Sequence, residues 1–428
     1  MSLQQNLTKE KYKETEFGLL PKGWEIAKLE NVSKLIMGQS PPGETYNEAG
    51  NGMPFLQGKA EFNAIHPRHI KYTTKPLKIA PKGSVLISVR APVGDVNIAN
   101  INYCIGRGLA SISLNNGENN YLYFLLTYLK PEIKKEGTGS TFKAINKTKI
   151  QSFKIPFPPL SEQQKITYVL SNIQNAKEKT ENSINALKEL KKSMMKHLFT
   201  YGPVSLEEVK NVKLKETEVG NVPYQWKESK VRNHSYILTG GTPKTEIKSY
   251  WEPQEIPWMK SGEIQGHPIN SVRTYISKNG LENSNARWLP KQSVVIALAG
   301  RGKTRGTTAP LEFDCTCNQS VVCIKPDRNI SYLYLHYYLS NLYFYIRRLT
   351  GDKDRSGLNK QLVGNIPLYY PPVDIQHKIG AMLSSVDKKV EQETNKKIAL
   401  EELFKSILHN LMTAKIRVNN LVIANEET

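Results

Sequence analysis

In two stretches of the chain, apolar residues occupy most positions of a series whose steps alternate between four and three residues. Each stretch follows a Pro-Pro pair, at residues 158–159 and 371–372. The apolar positions are Ile166, Leu170, Ile173, Ile184, Leu187, Met194 and Leu198 in the first stretch, and Ile379, Leu383, Val386, Val390, Leu400, Phe404, Ile407 and Leu411 in the second. The expected helix N-caps are Ser161 and Asp374. Because this is the a/d spacing of a heptad seam, each helix needs a partner. We predict long helices over residues 158–202 and 371–417, and we expect each helix to pair with the other.

Polar residues interrupt both predicted seams near their midpoints. Lys177 and Thr180 do so in the first stretch, and Glu393 and Lys397 in the second. A polar layer weakens helix pairing but fixes its register and orientation, and an antiparallel arrangement would bring the two midpoints together. The alternative is that these positions are exposed on helices that lie against something else.

Shorter apolar runs, rich in β-branched residues and bounded by Gly or Pro, predict strands. They are GSVLISV (83–89), ASISL (110–114), QSVVIAL (292–298) and SVVCI (320–324), and ASISL aligns by eye with SVVCI. A short aromatic helix is predicted after the later strand of each pair, over residues 121–129 and 332–349. Its aromatic rings could stack on nucleic-acid bases, but helical spacing favours a place in the core.

The chain repeats itself. KYKETEFGLLPKGWEI, starting at Lys11, returns as KLKETEVGNVPYQWKE, starting at Lys213, and PPLSEQQKI returns as PPVDIQHKI. The order of segments is preserved while the centres diverge, as expected for one scaffold that carries two different sets of loops. We predict an α+β fold with an internal pseudo-twofold repeat: two β-rich globular domains, over residues 1–157 and 203–370, separated by the helix pair, and a C-terminal tail over residues 418–428.

Composition narrows the function. The chain of 428 residues is 39% apolar and 23% charged, which is typical of a globular protein. No apolar run reaches the roughly 18 residues of a membrane span, and the N-terminal segment lacks the apolar core of a signal peptide, so we expect a cytoplasmic protein with no membrane contact. The net charge of +20 favours a polyanionic partner. The alternative is that lysines only solvate helix faces.

Motifs for catalysis or metal binding are weak. The four cysteines lack C-x-x-C spacing, so we expect buried thiols and no metal. Gly302-Lys303-Thr304 lacks the first glycine of a phosphate-binding loop, and His66 and His69 lie in a Pro-containing loop without an acidic cluster. Glu132, beside lysines at a helix end, has no convincing upstream Asp for a nuclease site. The chain is therefore interpreted as a binding protein.

The duplicated segments, taken in order, are similar to a known family. TEFGLLPKGWEIAKL and TEVGNVPYQWKESKV, the small-residue turns at residues 38–41 and 240–243, and the two helix starts after the Pro-Pro pairs together resemble the DNA-specificity subunit of type I restriction-modification systems. The resemblance runs from about Lys11 to Lys415. One departure is Ile375, which stands where the first copy has Glu162.

The resemblance implies that the two β-rich domains are target-recognition domains for double-stranded DNA, and that the two long helices between them form an antiparallel coiled coil. It also implies that this non-catalytic chain holds two methyltransferase subunits, which motor-nuclease (restriction) subunits join. No cofactor is expected on this chain, and S-adenosylmethionine, ATP and Mg are expected on those partners. Two alternatives stay open: a standalone nucleic-acid-binding coiled-coil scaffold, and an enzyme that is active alone.

Basic and amide side chains in the divergent loops are the candidate DNA-binding residues. They are Gln57, Lys59, Arg68, Arg90 and Arg107 in the first domain, and Lys260, Arg287, Arg301, Lys303 and Arg305 in the second. Arg pairs bidentately with guanine and Gln with adenine, although any one of these residues could instead contact phosphate or only carry surface charge. The helix from Ile166 to Leu198 would be roughly 48 Å long. This length predicts half-sites about 14 base pairs apart.

Overall fold

In a computed structural model of the protein, the described residues are 11–136, 144–300, 302, 304–349 and 357–422. The chain divides into two compact units. Unit 1 combines residues 1–180 with residues 396–428, and unit 2 is residues 181–395. Two long helices, α5 (Leu160–Tyr201) and α10 (Val373–Met412), each contribute one segment to each unit. Each unit is therefore a β-rich globular part with two helical segments from different helices.

Unit 1 is built on two sheets. Its strands are β1 (Tyr12–Thr15), β2 (Gly18–Pro21), β3 (Glu25–Lys28), β4 (Ser33–Met37), β5 (Tyr46–Asn47), β6 (Met53–Leu56), β7 (Lys71–Thr73), β8 (Ile79–Ala80), β9 (Val85–Ser88), β10 (Val96–Ile98), β11 (Tyr103–Ile105), β12 (Leu109–Leu114) and β13 (Lys154–Phe157). Its short helices are α1 (Leu29–Val32), α2 (Asn119–Tyr128), α3 (Lys130–Lys135) and α4 (Lys147–Gln151). An antiparallel sheet has the order β10-β9-β12-β4, and a mixed sheet has the order β5-β7-β6-β11-β8, in which β6 and β11 are parallel. β1 and β2 form a hairpin, and β3 pairs with β13.

Unit 2 repeats this plan. Its strands are β14 (Leu214–Thr217), β15 (Gly220–Pro223), β16 (Lys227–Lys230), β17 (Ser235–Thr239), β18 (Ile256–Met259), β19 (Thr274–Ile276), β20 (Ser293–Ala297), β21 (Thr308–Leu311), β22 (Thr316–Cys317), β23 (Val321–Pro326) and β24 (Pro367–Tyr370). Its short helices are α6 (Lys278–Glu282), α7 (Tyr332–Asn341), α8 (Tyr343–Arg348) and α9 (Lys360–Gly364). The sheets have the orders β17-β23-β20-β21 and β19-β18-β22, with β18 and β22 parallel. The predicted fold class and internal repeat are confirmed.

Strand register corrects one detail of the alignment between the two copies. Met37 of β4 pairs with Ala110, and its counterpart Thr239 of β17 pairs with Val322. Ala110 therefore corresponds to Val322. The sequence match that placed Ala110 opposite Ser320 is wrong by two residues. The slip arose because both strands are buried over four consecutive positions, so neither shows the alternation that would set its register.

The aromatic helices α2 and α7 belong to the core, as predicted. Tyr121 and Tyr334 are fully buried, and their hydroxyls donate to the carbonyls of Pro156 and Tyr369 at the base of each globular part. The prediction of one helix over 332–349 is wrong, because the helix ends at Leu342, whose N–H is shared between two carbonyls. In the first copy Pro131 marks the same break. The second copy has no such marker.

The long helices begin directly after the Pro-Pro pairs. The N–H groups of Gln163 and Gln376 donate to the carbonyls of Pro159 and Pro372, so these prolines occupy the N-cap positions. Ser161 and Asp374 lie inside the first turn, and their prediction as N-caps is wrong. Both glutamine side chains are fully buried. Each amide oxygen accepts from a backbone N–H just before the aromatic helix of its unit and ties the long helix to the globular part.

Every apolar seam residue predicted from the heptads is buried or half-buried. In unit 1, Glu162 near the start of α5 contacts Arg417, whereas Lys177 further along lies over Phe404, with its Nζ 4.8 Å from the ring centroid. Contacts that move forward along α5 thus move backward along the second segment. In unit 2, Lys191 forms an ion pair with Asp387 at 2.6 Å. The two helical segments of unit 1 are therefore antiparallel, as predicted.

The polar seam positions are not solvent-exposed. Thr180 is 2% exposed and donates to the carbonyl of Ala176 in its own helix, and Lys177 is half-buried. Burial lowers the pKa of Lys177, and repulsion from Lys397 and Lys405 adds to this, while Glu401 acts in the opposite direction. The charge of Lys177 in the seam therefore costs stability, which favours the polar-layer interpretation over exposed positions.

Replacing Lys177 with Met should stabilise unit 1 by about 1 kcal/mol, because a polar seam residue costs stability and a thioether packs well on an aromatic ring. The gain should be complete at neutral pH, where Lys177 is charged in both folded and unfolded chains. It should shrink as the pH rises from the lowered folded-state pKa toward the ordinary value of 10.5, since the native lysine then becomes neutral. Urea unfolding at several pH values measures this, with Lys179→Met as the exposed control. A loss of stability in Lys177→Met would contradict the prediction.

Candidate nucleic-acid interface

The C-terminal ends of four strands meet at one edge of unit 1. These strands, β4, β6, β9 and β11, come from both sheets, and their following residues are joined by backbone hydrogen bonds. The bonds run from Gly38 to Leu109 (2.9 Å), from Gln39 to Ile105 (2.9 Å), from Gly106 to Leu56 (2.8 Å) and from Val89 to Gly108 (2.9 Å), each from N–H to carbonyl. We call this edge the strand-end surface of unit 1. It is rigid because the loops are tied together directly behind the strands.

Glycine is required where these loops touch. A Cβ on Gly38 would lie 2.2 Å from the carbonyl oxygen of Gly106, and one on Gly108 would lie 2.8 Å from that of Gln57. Both contacts are with backbone atoms, which cannot swing aside. The Gly-x-Ser/Thr-Pro turns of the sequence repeat are therefore packing elements of this surface.

Three predicted DNA-binding residues come together here. Gln57 follows β6, Arg90 follows β9 and Arg107 follows β11, and all three are exposed. The backbone N–H of Arg107 donates to the hydroxyl of Ser40 at 3.3 Å, which fixes the loop but leaves the guanidinium outside. The exposed Gln39 also lies on this surface. Sequence reasoning did not select Gln39 or Ser40, although the repeated turn contained them.

Lys59 is placed differently from the other candidates. Its ammonium forms an ion pair with Asp95 at 2.7 Å, and Lys130 of α3 contacts the same carboxylate. Burial alone would raise the pKa of Asp95, but contacts with the two ammonium groups hold it below its usual value. This cluster anchors the β9–β10 hairpin loop to α3, so part of the charge of Lys59 is neutralised within the protein.

Unit 2 has the equivalent strand-end surface, formed by the C-terminal ends of β17, β18, β20 and β22. The N–H of Gly241 donates to the carbonyl of Cys317 (3.0 Å), that of Asn318 to Met259 (3.0 Å) and that of Leu298 to Ser320 (2.9 Å). A Cβ on Gly240 would lie 2.0 Å from the carbonyl oxygen of Cys317. The backbone plan of unit 1 is thus reproduced with different side chains.

The backbone hydrogen bonds define which positions of unit 2 are equivalent to those of unit 1. Lys260 directly follows β18, as Gln57 follows β6, and its Nζ lies 5.7 Å from the ring centroid of Trp258. Gln319 directly follows Asn318, as Arg107 follows Gly106, and it is exposed. The hydroxyl of Thr242 donates to the Gln319 side-chain oxygen at 2.5 Å. Gln319 and Thr242 were both missed in the sequence.

The β20–β21 hairpin loop contains Arg305, another predicted DNA-binding residue of unit 2. Arg347 of α8 donates from Nη1 to the carbonyls of Gly302 (2.8 Å) and Arg305 (3.2 Å) and thereby holds the loop. Arg305 is half-buried, with its Nε enclosed and without a hydrogen-bond partner among the described residues. Arg301 and Lys303, both predicted as DNA-binding residues, lie outside the described residues.

Arg68 and Arg287 lie in longer loops. Both are exposed. The backbone N–H of Arg68 donates to the carbonyl of Glu61 at 2.8 Å, in the loop that follows β6. The chain segment before Arg287 packs on the turn of unit 2, since a Cβ on Gly241 would lie 2.6 Å from the Cβ of Asn285. Arg287 therefore lies two residues along the chain from Asn285, which packs against this turn.

The residues considered for other chemistry are occupied in the fold. All four cysteines are buried, and burial raises the pKa of Cys315 to about 12. His66 and His69 hydrogen-bond to the carbonyl of Ile98 and the hydroxyl of Tyr72. Within the described ranges, no three His, Cys, Asp or Glu side chains are grouped so that they could hold a metal ion. Across the same ranges, no helix has the length and apolarity needed to cross a membrane.

The two strand-end surfaces are typical of a DNA-binding protein. Each presents amide and cationic side chains on a rigid edge, and such side chains can donate to base edges and phosphates. Residues 21–214 and 223–402 each match the type I restriction modification DNA specificity domain. These matches cover most of the chain, and the protein belongs to this family. The predicted family resemblance is confirmed.

Relatives and solved structures agree with this assignment. The chain is 47% identical over 193 residues to the putative type I restriction enzyme MjaX specificity subunit of Methanocaldococcus jannaschii, an alignment that takes in 44% of this chain and 45% of that relative. The MjaIX specificity subunit of the same organism is 23% identical over 430 residues, which cover 96% of this chain and 97% of the relative. The crystal structure of a type I restriction-modification S subunit from M. genitalium superposes with a TM-score of 0.64 at 18% identity, over 91% of this chain and 96% of that one. This last likeness is one of fold.

Proposed function

We propose that the protein is the non-catalytic DNA-specificity subunit of a type I restriction-modification complex. Each unit reads one half of a bipartite, asymmetric target in double-stranded DNA. The chain docks two methyltransferase subunits, and motor-nuclease subunits join them. S-adenosylmethionine, ATP and Mg belong to those partners, and so do methylation and cleavage. The observation that carries the proposal is that one strand-end surface is built twice with different side chains.

Charge and geometry support DNA as the ligand. The net charge of +20 supplies a sequence-independent attraction to phosphates, which salt weakens. Base identity has to be read by side chains that are held in place, and the backbone hydrogen bonds behind Gln57, Arg107, Lys260 and Gln319 provide that rigidity. Because the two surfaces differ in these side chains, the half-sites should differ in sequence.

Selection from a random double-stranded DNA library tests the proposal. The full chain, assembled with its methyltransferase subunits, should enrich two unlike sequence elements separated by a gap of fixed length. A single element, a palindrome or no enrichment would overturn it. The alternative of a standalone scaffold is favoured if no methyltransferase copurifies with the chain, and an RNA-directed scaffold if RNA is bound more tightly than DNA at the same salt concentration.

The long helices should set the gap between the half-sites. Both are continuous, over 42 residues in α5 and 40 in α10. Inserting one heptad into each preserves the seam and adds about 10 Å of helix, so the selected gap should lengthen by about three base pairs. Library selection measures it. The control carries one heptad in α5 alone, which mismatches the seam and should reduce binding. An unchanged gap in the double insertion would contradict the prediction.

A further inference from the structure

We propose that Gln319 is a specificity-determining residue of unit 2 that reads adenine at the position where Arg107 of unit 1 reads guanine. This inference rests on the proposed function, because it assigns bases to surfaces that are taken to bind DNA. Gln319 is not one of the residues selected from the sequence, and it follows from the hydrogen bonds of the fold.

Arg107 and Gln319 occupy the same place in their units. Arg107 directly follows Gly106, whose N–H donates to the carbonyl of Leu56 at the end of β6. Gln319 directly follows Asn318, whose N–H donates to the carbonyl of Met259 at the end of β18. Each also directly precedes a residue, Gly108 or Ser320, whose carbonyl accepts a hydrogen bond from the residue after β9 or β20. These bonds run from Val89 to Gly108 and from Leu298 to Ser320. The backbone therefore presents Arg107 and Gln319 in the same way.

A hydroxyl of the repeated turn contacts each of the two residues. Ser40 and Thr242 are the third residues of the two Gly-x-Ser/Thr-Pro turns. Ser40 accepts from the backbone N–H of Arg107. The guanidinium of Arg107 therefore stays exposed as a bidentate donor. Thr242 binds the side-chain oxygen of Gln319, which orients the amide on the surface. The amide NH₂ and the second lone pair of that oxygen then remain for a ligand.

The two side chains suit different bases. A guanidinium donates two hydrogen bonds to O6 and N7 of guanine, and an amide accepts from N6 and donates to N7 of adenine. Each surface also carries a second reader, Gln57 beside Arg107 and Lys260 beside Gln319. At this pair of positions each surface thus carries one amide and one cation, in exchanged places. The same backbone therefore reads the two bases in opposite order in the two half-sites.

Library selection with the full chain and its methyltransferase subunits tests the inference. Gln319→Ala should reduce discrimination at one base pair of the second half-site by about 10- to 100-fold and leave the first half-site unchanged. Gln319→Arg should change the preference at that base pair from adenine to guanine, and Arg107→Gln should make the reverse change in the first half-site. Thr242→Val should keep the preferred base with weaker discrimination, because it removes only the orienting contact.

Matched controls lie at the opposite ends of the same sheets. Gln254→Ala, before β18, and Lys34→Gln, in the first half of β4, change exposed side chains of the same kind and should leave both half-sites unchanged. If Gln319→Ala weakens all sequences equally, or if Gln319→Arg leaves the consensus unchanged, the inference is overturned while a bipartite target still supports the proposed function. If the unaltered protein selects no bipartite target, the proposed function fails first. Thermal unfolding verifies that the variants are folded.

Discussion

Arg417→Ala is expected to destabilise unit 1 by about 3 kcal/mol, because it leaves a buried carboxylate without its cation. Glu162 is only 5% exposed. Its oxygens accept from Arg417 Nε at 2.8 Å, from Arg417 Nη2 at 3.1 Å and from the indole of Trp24 at 2.9 Å. Without the guanidinium, the indole is the one hydrogen-bond donor to this carboxylate that remains among the described residues. Hydrogen exchange should show lost protection at the start of α5, while residues 181–395 keep theirs.

Two variants make this result interpretable. Arg328→Ala removes an exposed arginine from unit 2 and should leave protection unchanged. The double variant Glu162→Ile/Arg417→Val removes both charges and should recover most of the lost stability, since unit 2 has Ile375 at the position of Glu162 and packs it against its core. Full protection in Arg417→Ala would show that Glu162 does not depend on this cation. The buried position of Glu162 also indicates an internal role for this residue.

Gly38→Ala is expected to disable recognition of the first half-site. The added Cβ would lie 2.2 Å from the carbonyl oxygen of Gly106, so the turn must move away from the loop that carries Arg107. We expect a loss of stability of about 1–3 kcal/mol from overpacking and a loss of base discrimination in that half-site of at least about tenfold. Library selection and urea unfolding measure the two effects. The second half-site should be read normally.

The control for this variant is Gly43→Ala, five residues along the same chain segment, where an added Cβ meets nothing within 4 Å. Gly240→Ala and Gly262→Ala form the corresponding pair in unit 2, with contacts of 2.0 Å to the carbonyl oxygen of Cys317 and none within 4 Å, respectively. Gly240→Ala should affect only the second half-site. If Gly38→Ala and Gly43→Ala behave alike, the close approach of the loops is not needed for recognition.

The features of the fold that depend on short sequence periods could be predicted. Heptad spacing located both long helices because a seam such as Ile166 to Leu198 keeps apolar residues at most of its a and d positions. The repeated segments that start at Lys11 and Lys213 identified the two copies, because each segment forms a hairpin and the strand after it. The break at Leu342 could not be predicted because it has no proline or glycine to mark it.

The candidate site was harder to predict because it is assembled across long sequence separations. The parallel contact of β6 with β11 brings Gln57 to Arg107, and no local pattern announces it. The alignment slip of two residues also hid Gln319, since it placed the buried Cys317 opposite Arg107. The ion pair that occupies Lys59 is a further case, because its partner Asp95 lies in another hairpin.

The discontinuity of unit 1 affects the order in which the protein can fold during synthesis. The core of unit 1 includes Leu408, Leu411, Met412 and Val418, which leave the ribosome after the whole of residues 181–395. Domains ordinarily fold as they emerge, beginning at the N-terminus. Unit 2 can therefore fold before unit 1, while the N-terminal part of unit 1 keeps apolar surface exposed. Chaperone binding to nascent chains should therefore persist until the last turns of α10 have emerged.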